Sequence, residues 1–143
     1  MKRFVLILIS FVLMCGLVGC GETQVELTET ASFQDFTLTL GEAERFTDNN
    51  GAEMLRVHAV FTNNSQDPYY AYSCFAVRAF QNDVELDEYD TANGEEDNKA
   101  REIRNGQSID VLYFFALTDN SEVEVLVGEP TADMKSIGRK IYS

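Results

Sequence analysis

The sequence predicts an all-β domain, an antiparallel β-sandwich of about seven strands, on three observations. Apolar residues recur at every second position through most of the chain after residue 31. Asn-Gly, Asp-Asn and Asn-Asp pairs, which accept positive φ or bond their own backbone, interrupt those runs at intervals of roughly 8 to 12 residues. No window carries a long apolar stripe at helical spacing.

The first predicted strand is Phe36–Leu40, where Phe36, Leu38 and Leu40 alternate with two threonines before Gly41 leads into Glu42–Phe46. Asp48-Asn49-Asn50-Gly51 then turns the chain into Glu53–Phe61 as a hairpin, because Asn-Gly tolerates the left-handed backbone a tight turn needs. On that second strand Leu55, Val57, Ala59 and Phe61 share an apolar face, and Met54, Arg56, His58 and Val60 a mixed one. Thr62–Pro68 ends the strand, and Tyr72–Phe80 is predicted as the third, turned by Gln81-Asn82-Asp83 into a short partner, Val84-Glu85-Leu86. An acidic loop follows. Ile103 opens another extended segment, Asn105-Gly106 turns, and Ile109–Leu117 is the most apolar strand, predicted to be buried on both faces. Asp119-Asn120 leads into Ser121–Val127, with Val123, Val125 and Val127 inward and Glu122 and Glu124 toward water. The tail, Lys135–Ser143, is read as a last edge strand or a short helix. Strands in this number and spacing suggest an immunoglobulin-like sandwich without the Cys and Trp hallmarks; eight Phe and six Tyr after residue 19 supply the large core side chains instead.

The N-terminus carries an address. Met1-Lys2-Arg3 is a positive start, and Phe4–Val18 has no charge but is shorter than the roughly 20 apolar residues a spanning helix needs. Leu17-Val18-Gly19-Cys20 resembles the lipobox of bacterial lipoprotein precursors. The resemblance implies that residues 1–19 are a cleaved signal peptide and that Cys20 is acylated and becomes the mature N-terminus. It places the protein on the extracytoplasmic face of the bacterial cell membrane. Each buried methylene of such acyl chains, palmitate for instance, contributes about 0.8 kcal/mol, so two chains hold a protein there durably. Residues 20–31, polar, acidic and rich in Thr, are read as a short flexible tether, and 32–143 as the domain.

Charge and cysteine usage narrow the function. The full chain carries −13, and without the two basic residues of the leader 24 Asp and Glu face 9 Lys and Arg, giving −15. That field repels phosphate, which excludes nucleic acid as a partner and adhesion to an anionic bilayer by charge. Cys15 leaves with the leader and Cys20 is committed to lipid, so Cys74 is the one thiol of the domain and no internal disulfide forms. In the strand-like Tyr72–Val77 run Cys74 is read as a small buried hydrophobe; a nucleophilic thiol would need a base, and His58 is the one histidine.

Two stretches are candidate sites. Tyr69, Tyr70 and Tyr72 follow Pro68 at a turn and would suit a binding rim for peptide or sugar, since tyrosine offers apolar area and a hydroxyl; the alternative is core packing at a sandwich corner. Residues 83–97 hold eight carboxylates, and Asp87, Asp90, Asn93 and Glu96 could converge on calcium. Tyr89 and Thr91 stand where a calcium loop of the Asp-x-Asp-x-Asp-Gly type needs ligands, so a solvated acidic loop is the first reading, and no cofactor is expected otherwise. The chain has no Gly-x-Ser-x-Gly elbow, no His-Glu-x-x-His and no phosphate-cradling glycine loop.

Three stretches carry a family resemblance: Val60-Phe61-Thr62-Asn63-Asn64-Ser65, Phe80-Gln81-Asn82-Asp83-Val84-Glu85-Leu86, and Ile103-Arg104-Asn105-Gly106-Gln107-Ser108. In order and turn chemistry the chain resembles, over most of residues 33 to 128, the bacterial surface lipoproteins whose telokin-like, immunoglobulin-like domain is the domain-of-unknown-function family 5067. Asp83 stands where that family often has Gly. The resemblance implies the fold and no catalytic residue. The reading is of a lipid-anchored, non-catalytic cell-surface module that meets an extracellular protein, peptide or glycan. A calcium-responsive domain and a surface glycan hydrolase are the alternatives. Replacing Cys20 by Ser is expected to abolish incorporation of labelled palmitate and to leave unprocessed precursor or shed protein; undiminished labelling would contradict the anchor.

Overall fold

The computed structural model describes residues 26–143, so the predicted leader, Cys20 and the start of the tether lie outside the described residues. Alternation becomes structure in eleven strands: β1 (Thr30–Phe33), β2 (Phe36–Thr47), β3 (Glu53–Asn63), β4 (Ala76–Gln81), β5 (Val84–Glu85), β6 (Glu88–Tyr89), β7 (Thr91–Ala92), β8 (Glu95–Glu96), β9 (Gln107–Ala116), β10 (Val123–Gly128) and β11 (Ser136–Tyr142). One sheet runs β1-β2-β3-β9-β6, the other β11-β10-β4-β5, and β7 pairs β8 alone; every pairing is antiparallel.

The chain leaves β3 for β4 in the second sheet, returns as β9 beside β3, and crosses again as β10 beside β4. Strands β2-β3-β9-β6 and β11-β10-β4 thus repeat the two-sheet order of an immunoglobulin-type sandwich, with β5 added at one edge and β1 at another. Inner faces interdigitate as predicted. Leu55, Val57, Ala59 and Phe61 of β3 meet Val123, Val125 and Val127 of β10 in one core, and Phe61, Phe115 and the three valines are almost wholly sealed from water. Each such side chain contributes about 1.5–3 kcal/mol, which is where a disulfide-free fold finds its stability.

Three elements differ from the sequence expectation. The third strand begins only at Ala76, because Ala71–Cys74 makes one helical turn in which Phe75 N donates to Ala71 O (3.2 Å) and Ser73 Oγ to Tyr70 O (2.8 Å). Ala71, Cys74 and Phe75 are all buried, at a helical spacing too brief to register as a period. Ile103 makes a single bridge to Tyr69 rather than a strand. The tail is the edge strand β11, the first of the two readings the sequence left open for it. The folded domain also starts before residue 32: β1 pairs Thr30 with Thr39 and Phe33 with Phe36, around a turn in which Gln34 has φ 53°.

β1 and β11 close one seam of the sandwich. Arg139 N donates to Thr28 O (2.8 Å), Leu40 N to Glu29 O (2.9 Å), and Tyr142 OH to Gly41 O (3.0 Å). Gly138 permits the approach, since a Cβ there would stand 2.9 Å from that of Ala31. Among the described residues no helix is long and apolar enough to cross a membrane.

Three polar side chains are buried in the domain, Asn63, Gln81 and Lys99, and the first two tie the ends of the sandwich. Asn63 Nδ2 donates to the carbonyls of Asp67 (2.8 Å) and Ile103 (3.0 Å), while its Oδ1 accepts from Ser65 N and Oγ. At the other end Gln81 Nε2 donates to the carbonyls of Asp119 (3.0 Å) and Ser121 (3.1 Å), and its Oε1 accepts from Thr118 N (2.9 Å) and Oγ1 (2.8 Å). Removing such an amide strands several buried partners at about 1–3 kcal/mol each. Gln81→Ala is therefore expected to lower unfolding stability by about 2–4 kcal/mol in a urea titration, against less than about 0.5 kcal/mol for Gln66→Ala on the surface; equal effects would refute the locking role of Gln81.

Candidate functional site

The acidic stretch is a built element. Asn82 (φ 51°) and Asp83 (φ 64°) make the tight turn between β4 and β5, a mirror-image turn that two non-glycine residues with short polar side chains can adopt. Leu86 N then donates to Ala79 O (2.8 Å), and the chain crosses to the first sheet, where β6 pairs Glu88 with Phe115 and Tyr89 with Phe114. The β7–β8 hairpin folds over the outer face of that sheet and lays Ala92 on Met54, Leu112 and Phe114, a second small core. The chain regains β9 where Leu112 N donates to Asp97 O (2.9 Å). This cap is why Val111 through Phe115 are all buried, the two-sided burial predicted for that strand.

Lys99 holds the base of the cap. Its Nζ hydrogen-bonds Glu88, lies 3.0 Å from Asp97 and 3.6 Å from Asp90, and stands 5.2 Å from the centre of the Tyr113 ring. Burial by itself would push the ammonium below the ordinary lysine value, but the hydrogen bonds and charges of Glu88 and Asp97 outweigh it and hold the pKa above that value. Arg56, under the hairpin, lies 3.3 Å from Glu95 and 3.7 Å from Glu44 and covers the Phe46 ring at 5.1 Å. Its Nε is sealed without an aligned hydrogen bond, so charge rather than hydrogen-bond geometry pairs it with Glu95.

The four residues considered for calcium are not brought together. Asp87 is exposed and uses its carbonyl to accept from Ala116 N (3.0 Å), while Asp90 faces Lys99. Asn93 sits at the hairpin tip accepting from Asn49 N (2.7 Å), and Glu96 lies opposite Thr91. Among the described residues no group of three or more His, Cys, Asp or Glu side chains is arranged to hold a metal ion. A lysine takes the central place among the carboxylates that a cation would need. Cys74 and His58 are likewise apart: the thiol is buried in the main core, where desolvation pushes its pKa up, and His58 is exposed on the outer face of β3 beside Leu112.

The tyrosines divide. Tyr69 packs edge-on against Phe36, with ring centres 4.8 Å apart, and pairs its backbone with Ile103. Tyr70 OH donates to Glu102 (3.0 Å), and that bond and charge raise its pKa. Tyr72 is 58% exposed, its ring 5.7 Å from that of Tyr70. It stands over a cavity of about 340 Å3 lined also by Arg78, Glu85, Glu88, Lys99 and Tyr113. A second hollow of about 370 Å3 shares Val77, Arg78, Glu85 and Glu88 and continues down the seam to Leu86 and Phe115. Sequence reasoning found Tyr72 but missed Lys99 and Tyr113; the one available signal was an isolated lysine directly after the acidic run.

Over residues 22–129 the chain matches the family described as domain of unknown function DUF5067. It belongs to that family. No curated protein matches the sequence. This DUF5067 domain is similar in structure to a candidate lipoprotein from Staphylococcus aureus subsp. aureus NCTC 8325, with a TM-score of 0.64 and 11% identity over 82% of this chain and 90% of that one. It is also similar to a candidate lipoprotein from Bacillus subtilis subsp. subtilis str. 168, with a TM-score of 0.52 and 13% identity over 82% of this chain and 38% of the other. At those identities the likeness is one of fold, and for the second protein the chain spans little more than a third of its length.

Burial, then the charges of Glu88 and Asp97, push the Tyr113 hydroxyl far above the ordinary tyrosine value, and burial does the same for Tyr142. With Lys99, these groups hold their protons more tightly folded than unfolded. Their contribution to stability is whole at neutral pH and falls as pH rises past the ordinary values of 10.0 for tyrosine and 10.5 for lysine. Tyrosinate absorbance should therefore rise in two stages, the second coinciding with loss of the β-sheet circular dichroism signal. At pH 7, Lys99→Met should cost about 2–3 kcal/mol, the usual cost of a broken buried pair reduced for the partial exposure of Glu88; an unchanged denaturation midpoint would contradict the clamp.

Proposed function

We propose that this protein is a lipid-anchored module of the bacterial cell surface that binds an extracellular partner without catalysing a reaction. The observation that carries this reading is Tyr72, exposed at the mouth of a seam cavity with the half-buried Tyr70 ring beside it. The position of that pair supports it. β1 runs from Thr30 toward Phe33, which pairs with Phe36 at the end of the sandwich where Tyr69 packs. The preceding residues, Thr28 and Glu29, lie against Arg139 and Leu40, lower on the seam of β1 and β11. The first described residues thus join the sandwich away from the end where Tyr69 packs.

The lipobox-like Leu17-Val18-Gly19-Cys20 and the candidate lipoproteins among its structural neighbours support the location. The separation of Cys74 from His58 supports a binding rather than a catalytic role. Proximity labelling on intact cells that express the full chain should recover a reproducible set of surface neighbours. Tyr70→Ala/Tyr72→Ala, at equal surface abundance, should lose them; an identical set from both proteins would remove the tyrosine end as the binding surface.

A further inference from the structure

We infer that the seam cavity under Tyr72 is a binding site for an uncharged, polyhydroxylated ligand, a saccharide unit. The inference rests on the reading of the domain as a binding module and names the chemistry of its ligand. The charges around the cavity are already matched within the protein. Lys99 is held by Glu88, Asp97 and Asp90, and Arg78 lies 3.6 Å from Glu85. An anionic ligand therefore meets no free cation there and approaches a domain of strong negative charge.

What the cavity leaves unmatched is neutral. Tyr113 is 3% exposed, and its hydroxyl makes no hydrogen bond among the described residues. Tyr113 lines the cavity from within the core side of β9. A buried polar group without a protein partner calls for one from outside, and a phenol can both donate and accept. At the mouth, Tyr72 offers an exposed ring of the kind on which the C–H face of a sugar stacks, with Tyr70 beside it. The carboxylate oxygens of Glu85 and Glu88 keep lone pairs that accept from ligand hydroxyls. A volume of about 340 Å3, continued by about 370 Å3 along the seam, lies in the range of small-molecule clefts and leaves room for more than one ring.

The test uses the full lipidated chain in a detergent without a sugar head group, with 13C-labelled tyrosine observed by NMR. Chitotriose, maltotriose and xylotriose are titrated in turn, with trilysine as a charged peptide control. At least one trisaccharide is expected to give saturable shifts of the Tyr72 and Tyr113 signals. Tyr72→Ala should weaken that binding about tenfold, the loss of a stacked aromatic contact. Tyr113→Phe removes one hydrogen bond, keeps the core volume, and should weaken it about fivefold without lowering Tm. Tyr89→Ala, outside the cavity, should leave affinity unchanged. Absence of saturable shifts with all three trisaccharides, or equal affinity in Tyr72→Ala and Tyr113→Phe, would overturn the assignment. Saturation by trilysine in their place would overturn the uncharged ligand while leaving a binding module intact, and so would surface neighbours recovered from cells without any saccharide binding.

Discussion

One buried ammonium organises half of this domain. Lys99 Nζ joins Glu88, where the acidic stretch departs from the edge of β9, to Asp97, where it returns. Its own amide donates to Asp97 Oδ1 (2.9 Å), and its carbonyl accepts from Tyr72 N (3.3 Å) at the helical turn. A single residue thus sets the cap over the outer face, the floor of the seam cavity and the position of the most exposed tyrosine. A lysine can do this only while charged, because its burial is compensated by carboxylates that burial alone would disfavour in the same way.

The same pairing explains how so acidic a chain folds. The densest run of carboxylates would repel itself as an open loop, but Lys99 and Arg56 draw Glu88, Asp90, Asp97 and Glu95 onto two cations beneath the hairpin. Opposite charges a few ångströms apart at a partly desolvated site interact far more strongly than surface pairs do. The excess charge that remains is spread over exposed positions such as Asp83, Asp87 and Glu96.

With no disulfide among the described residues to staple the sheets, the ends are closed by amides. Asn63 and Gln81 each satisfy several loop carbonyls and hydroxyls from inside the sandwich, and the β1–β11 seam is sealed by backbone bonds at a glycine contact. The opposite seam, between β5 and β6, is crossed by the chain itself, and there the Tyr72 cavity opens. Two short edge strands cannot close what a long paired one can, and the gap between them is where a ligand finds room.

By itself the sequence determined the strand faces, because period-two alternation records burial directly: Val123, Val125 and Val127 could point only one way. It determined the turns at Gly51 and at Asn82-Asp83, where local backbone chemistry suffices. The tertiary structure decided what depends on residues far apart in sequence. Helical spacing of Ala71, Cys74 and Phe75 was hidden within an apolar run, and β1 was too short to announce itself. An acidic stretch that reads as a solvated loop became a cap, because Ala92 found Leu112 and Phe114 and the carboxylates found Lys99 and Arg56. Alternation encodes which side of a strand is dry, but the match between charges or between cavity walls exists only once the sheets have brought them together.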